Sequence, residues 1–173
     1  MGVDITAYKQ LQEQNCVCDE DGEPIDDVDY DWVKFYLNPD FPGRADDIKD
    51  ETVYRYTDSE DMLSISYGGY NRLRNQLAEL AGYPLGQYEQ YGQMYDSYCC
   101  DCWNGKTGPF SEIINFSDCE GVIGTAISAK LAKDFADFQE KADLRGDSQF
   151  KKFYAGMRKG FEAASDGGAV KYS

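Results

Sequence analysis

The sequence predicts an α+β fold, an N-terminal antiparallel sheet followed by packed helices, on three observations. Period-two alternation dominates residues 1–66, helical periodicity takes over at Gly68-Gly69, and the two regimes follow one another instead of interleaving. A chain of 173 residues that is 42% hydrophobic, with 14 Tyr, 9 Phe and 2 Trp, is long enough for one core and too apolar for disorder, even at a formal net charge of −15. The expected organisation is a single domain over 1–173: strand-rich 1–66, helical 69–165, and a mobile tail 166–173 after Gly167-Gly168.

Taken in order, Ile5, Ala7 and Lys9 alternate with Thr6, Tyr8 and Gln10, as a strand with one buried face requires. The run Asp19-Glu20-Asp21-Gly22-Glu23-Pro24 reads as a turn. Trp32 to Leu37 is aromatic and β-branched and stops at Asn38-Pro39, while Val53–Thr57 and Met62–Ser66 supply a third and a fourth strand. Beyond Gly69, Leu73, Leu77 and Leu80 share a helix face that Gly82 and Pro84 terminate. Tyr88, Tyr91, Tyr95 and Tyr98, spaced three, four and three, predict a second helix over about Gln87 to Tyr98. Ile127, Leu131, Phe135 and Phe138 form the next stripe. Asp147 or Ser148 then caps a last helix carrying Phe150, Phe153, Met157 and Phe161.

Charge excludes more than it assigns. There are 32 acids, 17 bases and no histidine. A polyanion would be repelled at long range, so direct nucleic-acid binding is not expected. Without histidine, Ser-His-Asp, Cys-His and HExxH chemistries are closed. No apolar run suits a signal peptide or a membrane span, which predicts a cytoplasmic protein with no membrane partner. The acids are unevenly placed: residues 1–64 carry net −13, residues 65–123 net −4 and residues 124–173 net +2. The first third is therefore the expected partner surface, with Asp26, Asp27, Asp29, Asp31, Asp46 and Asp47 as its working charges.

Six cysteines include Cys16-Val17-Cys18 and Cys99-Cys100-Asp101-Cys102. Four thiolates drawn from Cys16, Cys18, Cys99, Cys100 and Cys102 would close a tetrahedral zinc site, but C-x-C and CC-x-C depart from the usual C-x2-C knuckles. The expectation is reduced thiols and no cofactor, with zinc as the alternative and redox pairing within Cys99–Cys102 as another. Asp118 and Glu120, flanking Cys119, are the carboxylate pair that a divalent-metal enzyme would use. Gly121 and Gly124 ahead of a helix would present free N–H groups to an anion. A small-molecule binder would instead use Tyr88, Tyr91, Tyr95, Tyr98 and Trp103 as a stacking platform, with Arg72 and Arg74 as its cationic partners.

Three segments carry a resemblance: the opening Met-Gly-Val-Asp-Ile-Thr-Ala-Tyr, the stretch from Gly68-Gly69-Tyr70-Asn71-Arg72 to Leu80-Ala81-Gly82, and Ile114-Asn115-Phe116-Ser117-Asp118-Cys119-Glu120-Gly121. Together they resemble small proteins encoded by bacteriophages and prophages. That group brings no assigned activity and so no residue roles. What it implies is biological: small acidic proteins of this kind bind and block host machinery or defence systems. The expected function is thus a non-enzymatic binding protein whose acidic face mimics nucleic acid toward a basic host protein. A nucleotide-signal sponge and a carboxylate/metal enzyme are the alternatives.

Overall fold

The computed structural model describes residues 2–25 and 28–173. The alternation that opens the sequence becomes strand β1 (Gly2–Lys9), with Val3, Ile5 and Ala7 buried on one face. Four strands follow: β2 (Gln12–Glu13), β3 (Trp32–Lys34), β4 (Val53–Arg55) and the long β5 (Asp58–Ser66). Helix α1 (Tyr67–Ala81) begins where the Ser66 hydroxyl accepts from the Gly69 N–H at 3.2 Å, and it ends at left-handed Gly82. Next come β6 (Gly86–Gln90), β7 (Gln93–Ser97), the short helices α2 (Cys100–Trp103) and α3 (Ser111–Ile114), and β8 (Gly121–Ile123). The chain continues through α4 (Thr125–Asp137), α5 (Gln139–Asp143), α6 (Ser148–Ala164) and β9 (Ala169–Tyr172). The class is α+β, an N-terminal antiparallel sheet region followed by helices.

The main sheet runs β5-β1-β9-β8 with every neighbouring pair antiparallel. This overturns the expectation of a mobile tail over 166–173. Ala169, Val170 and Tyr172 are buried, and Ser173 exchanges backbone hydrogen bonds with Asp4 at 2.8 and 3.0 Å. Gly168 is present for close approach, not for flexibility, because a side chain there would collide with the Tyr8 carbonyl.

Helices cover one face of this sheet. Val3, Ile5, Met62, Ile123, Val170 and Tyr172 meet Leu73 and Leu77 of α1, Leu131 and Phe135 of α4, and Phe150, Tyr154, Met157 and Phe161 of α6 in one cluster. Each fully buried side chain of this size contributes roughly 1.5–3 kcal/mol. The Tyr154 hydroxyl is satisfied by the Phe135 carbonyl at 2.7 Å, and the Tyr70 and Tyr172 hydroxyls pair at 3.2 Å. Register slips between Ile5 and Thr6, leaving Met62 bulged. Gly156 lets α6 lie against that bulge, since a Cβ there would come within 2.6 Å of the Met62 carbonyl oxygen. The expected cap of α6 resolves to Asp147, which accepts from the Gln149 and Phe150 N–H groups. Those bonds, the Phe150 one foremost, hold its carboxyl below the usual carboxylate range.

A smaller sheet, β2-β4-β3, packs Val33, Phe35, Ala45, Ile48 and Tyr54 against Val122 and Ala169 on the other face of the main sheet. Two further expectations are corrected. Residues 69–165 are not uniformly helical, because β6, β7 and β8 interrupt them. The span Gln87–Tyr98, expected to be a helix, is the β6–β7 hairpin.

Candidate functional site

The hairpin turns on Tyr91 and Gly92, both in the left-handed region (φ 52° and 74°), which is the type I′ geometry that matches strand twist. Tyr88 lies directly opposite Tyr95, their rings stacked with centroids 5.7 Å apart and 30° between planes. Trp103 from α2 sets its edge on Tyr88 at 5.1 Å. The root is fixed: Asn75 of α1 accepts from the Ser97 hydroxyl and the Tyr98 N–H, and Gly86 sits so close to Cys100 that a Cβ would clash. Beyond the root the strands stand in solvent. Tyr91 is 94% exposed and Met94 58%, with Leu85, Tyr95 and Trp103 also exposed. The flanking charges are Glu89 and Asp96, and no Lys or Arg occurs between Arg74 and Lys106.

Of the proposed stacking platform, Tyr88, Tyr91, Tyr95 and Trp103 therefore share the hairpin and its supporting turn, whereas Tyr98 is half-buried against the main core. Arg74 is not available as a ligand partner. It is 7% exposed, donates to the Phe116 carbonyl at 2.6 Å and to Asn71, lies 4.9 Å over the Tyr70 ring and 3.6 Å from Asp118. Arg72 is exposed on α1.

The acids divide among different tasks. Asp26 and Asp27 lie outside the described residues. Asp29 and Asp31 line a cleft of about 520 Å³ with Tyr30, Arg55 and Tyr56, and Arg55 sits over Tyr30 at 5.7 Å. Asp46 borders a separate cleft with Phe41 and Arg44. Asp47 works inside the fold: its carboxylate accepts from the Thr125 N–H at 2.7 Å, and its other oxygen occupies the space a Gly124 side chain would need. The anion-receiving helix start expected at Gly121–Gly124 exists, and the chain's own Asp47 fills it. Its neighbour Arg44 fastens the same loop by donating to the Glu112 and Asn115 carbonyls. Part of the acidic first third is also neutralised by the basic last helix, through Lys159 to Glu60 at 2.7 Å across a cleft of about 390 Å³.

The cysteines do not assemble into one site. Cys99, Cys100 and Cys102 are buried, Cys99 and Cys102 within the main core, and burial pushes the Cys99 thiol up to about 11. Cys16 and Cys18 sit half-buried on the loop after β2. Among the described residues no group of three or more Cys, Asp or Glu side chains is placed to hold a metal ion. Asp118 is engaged by Asn71 at 3.3 Å, and Glu120 offers its backbone carbonyl to Asn38. Among the described residues no helix is long and apolar enough to cross a membrane. No protein-family model, curated protein or solved structure matches the chain.

Proposed function

We propose that the chain is a non-enzymatic binding protein that engages a basic surface of a partner protein, with the β6–β7 hairpin as its contact and the acidic first third as its electrostatic guide. The observation that carries this reading is the Tyr88–Tyr95–Trp103 cluster, with Tyr95 and Trp103 exposed around a half-buried Tyr88, on a hairpin whose own charged residues are all acids. Exposed tyrosine and tryptophan supply large contact area at low entropic cost and offer faces on which guanidinium groups stack. A two-stranded hairpin with free edges also gains from a covering partner, since an isolated pair of strands is marginal in water. The resemblance to phage-encoded proteins makes a host protein, blocked by occupation of its basic groove, the partner such a surface would meet. Asp29, Asp31 and Asp46 remain its candidate nucleic-acid-mimicking charges. Asp47 is withdrawn from that role.

The test is affinity capture with the tagged chain and with a Tyr88→Ser, Tyr95→Ser, Trp103→Ser variant, followed by release in rising salt. The expected result is at least tenfold weaker capture by the variant at unchanged circular dichroism. Release should also rise steeply between about 0.1 and 1 M salt, as the Debye length falls from about 10 to 3 Å. A partner held equally by both forms, or indifferent to salt, overturns the reading. The sponge alternative rests on the same aromatic faces and is checked by thermal shift with a nucleotide panel.

A further inference from the structure

Cys16 and Cys18 bring their sulfurs to 3.7 Å, in van der Waals contact and unbonded. Two residues of chain span at most about 7 Å, so their Cα separation falls within or close to the roughly 4.4–6.8 Å that a disulfide bridges. The pair lies between β2 and a small ladder in which Ile25 N–H donates to Val17 O at 3.0 Å, Asp19 N–H to Glu23 O at 2.9 Å, and Cys18 bridges Pro24. Val17 and Ile25 on that ladder are exposed, and Cys16 and Cys18 are each partly exposed. The remaining thiols differ: Cys99, Cys100 and Cys102 are buried, and Cys119 is exposed with Asp118 as its hydrogen-bond partner.

We propose that Cys16 and Cys18 form a reversible redox-modification site that exchanges with low-molecular-weight disulfides. One thiolate attacks a sulfur of the small disulfide, forming a mixed disulfide and expelling one small thiol. The neighbouring thiolate then attacks the protein sulfur of that bond, closing Cys16–Cys18 and expelling the second. The balance is one small disulfide reduced to two thiols for one protein dithiol oxidised. Because the ring contains a single intervening residue, cross-linking removes little unfolded-state entropy and the closed form is easily reduced. In the closed form Cys16 is cross-linked to Cys18 at the start of the 17–25 ladder.

The full chain is equilibrated with excess oxidised glutathione, alkylated with iodoacetamide, digested and weighed. The expected outcome is a peptide containing Cys16 and Cys18 that has lost two hydrogens and carries neither glutathione nor alkyl groups, and that reverts in excess reduced glutathione. Cys119 serves as the internal single-thiol control and carries a glutathione adduct. Cys16→Ser leaves a persistent adduct on Cys18, because the resolving sulfur is gone. Glutathione retained on Cys16 or Cys18 of the wild type, or alkylation of both after oxidation, overturns the proposal.

Discussion

Strand β9 and the β6–β7 hairpin are both short antiparallel elements, yet the molecule treats them oppositely. Tyr172 of β9 is 1% exposed, hydrogen-bonded through its hydroxyl to Tyr70 and edge-packed on Phe116 at 4.9 Å. Tyr95 of the hairpin is 41% exposed and its hydroxyl reaches only Gln93 of the same strand. Both are tyrosines in strands with a tyrosine neighbour. The difference lies in what surrounds the ring: Tyr70 of α1, Phe116 and the rest of the helix-covered core in one case, solvent in the other. Aromatic residues thus serve two separate purposes in one chain. Those of β9, α1 and α6 hold the fold, and those of the hairpin are left for contact.

The sharpest way to break that contrast is Tyr172→Ala. It removes a central side chain and strands the Tyr70 hydroxyl, with an expected loss of about 3–5 kcal/mol in urea unfolding, against no more than about 1 kcal/mol for Tyr95→Ala. Equal losses would erase the distinction.

Alkaline pH should separate the two sets next. Burial, opposed by Arg74 and the Tyr172 bond, raises the Tyr70 hydroxyl from 10.0 to about 12. A raised folded-state value means that its contribution to stability is whole below pH 10 and is lost as pH climbs toward 12, since only the unfolded chain readily gives up the proton. The expected outcome is progressive destabilisation through that window, reduced in Tyr70→Phe and followed by tyrosinate absorbance.

A smaller effect is expected for Asp47→Ala, about 1 kcal/mol, because it uncaps α4. If Asp47 instead served the partner surface, capture would fall while stability held. Smallest of all, Tyr91→Asn should stabilise the hairpin by a few tenths of a kcal/mol, since asparagine tolerates the left-handed turn position better than tyrosine. A loss of partner binding with that gain would place Tyr91 in the contact.

Much of the helix-bearing layer was legible in the sequence. The stripes at Leu73/Leu77 and Leu131/Phe135 and the Asp147 cap lie where burial and hydrogen bonding place them. The hairpin misled for a physical reason. Tyr88 and Tyr95 are seven apart, a spacing shared by two turns of helix and by opposite residues across a two-residue turn, and Tyr-Gly is a weak sign of such a turn next to Asn-Gly. Strand β9 was hidden by two glycines that read as a hinge, while the collision of any side chain with Tyr8 is visible only in three dimensions. The role of Asp47 was equally out of reach, because its partner, Thr125, lies 78 residues away.

The hydrogen bonds that join Asp4 to Ser173 have a consequence for the order of the chain. Asp4 and Ser173 are neighbours in the sheet although nearly the whole described sequence lies between them, so β1 is covered on both sides only when a pairing of very high sequence separation closes. A circular permutant that joins residue 173 to residue 2 through a short flexible linker and opens between Tyr91 and Gly92 would keep β1 paired with both β5 and β9. It would convert that distant pairing into a local one and move the new ends to the element proposed to meet the partner.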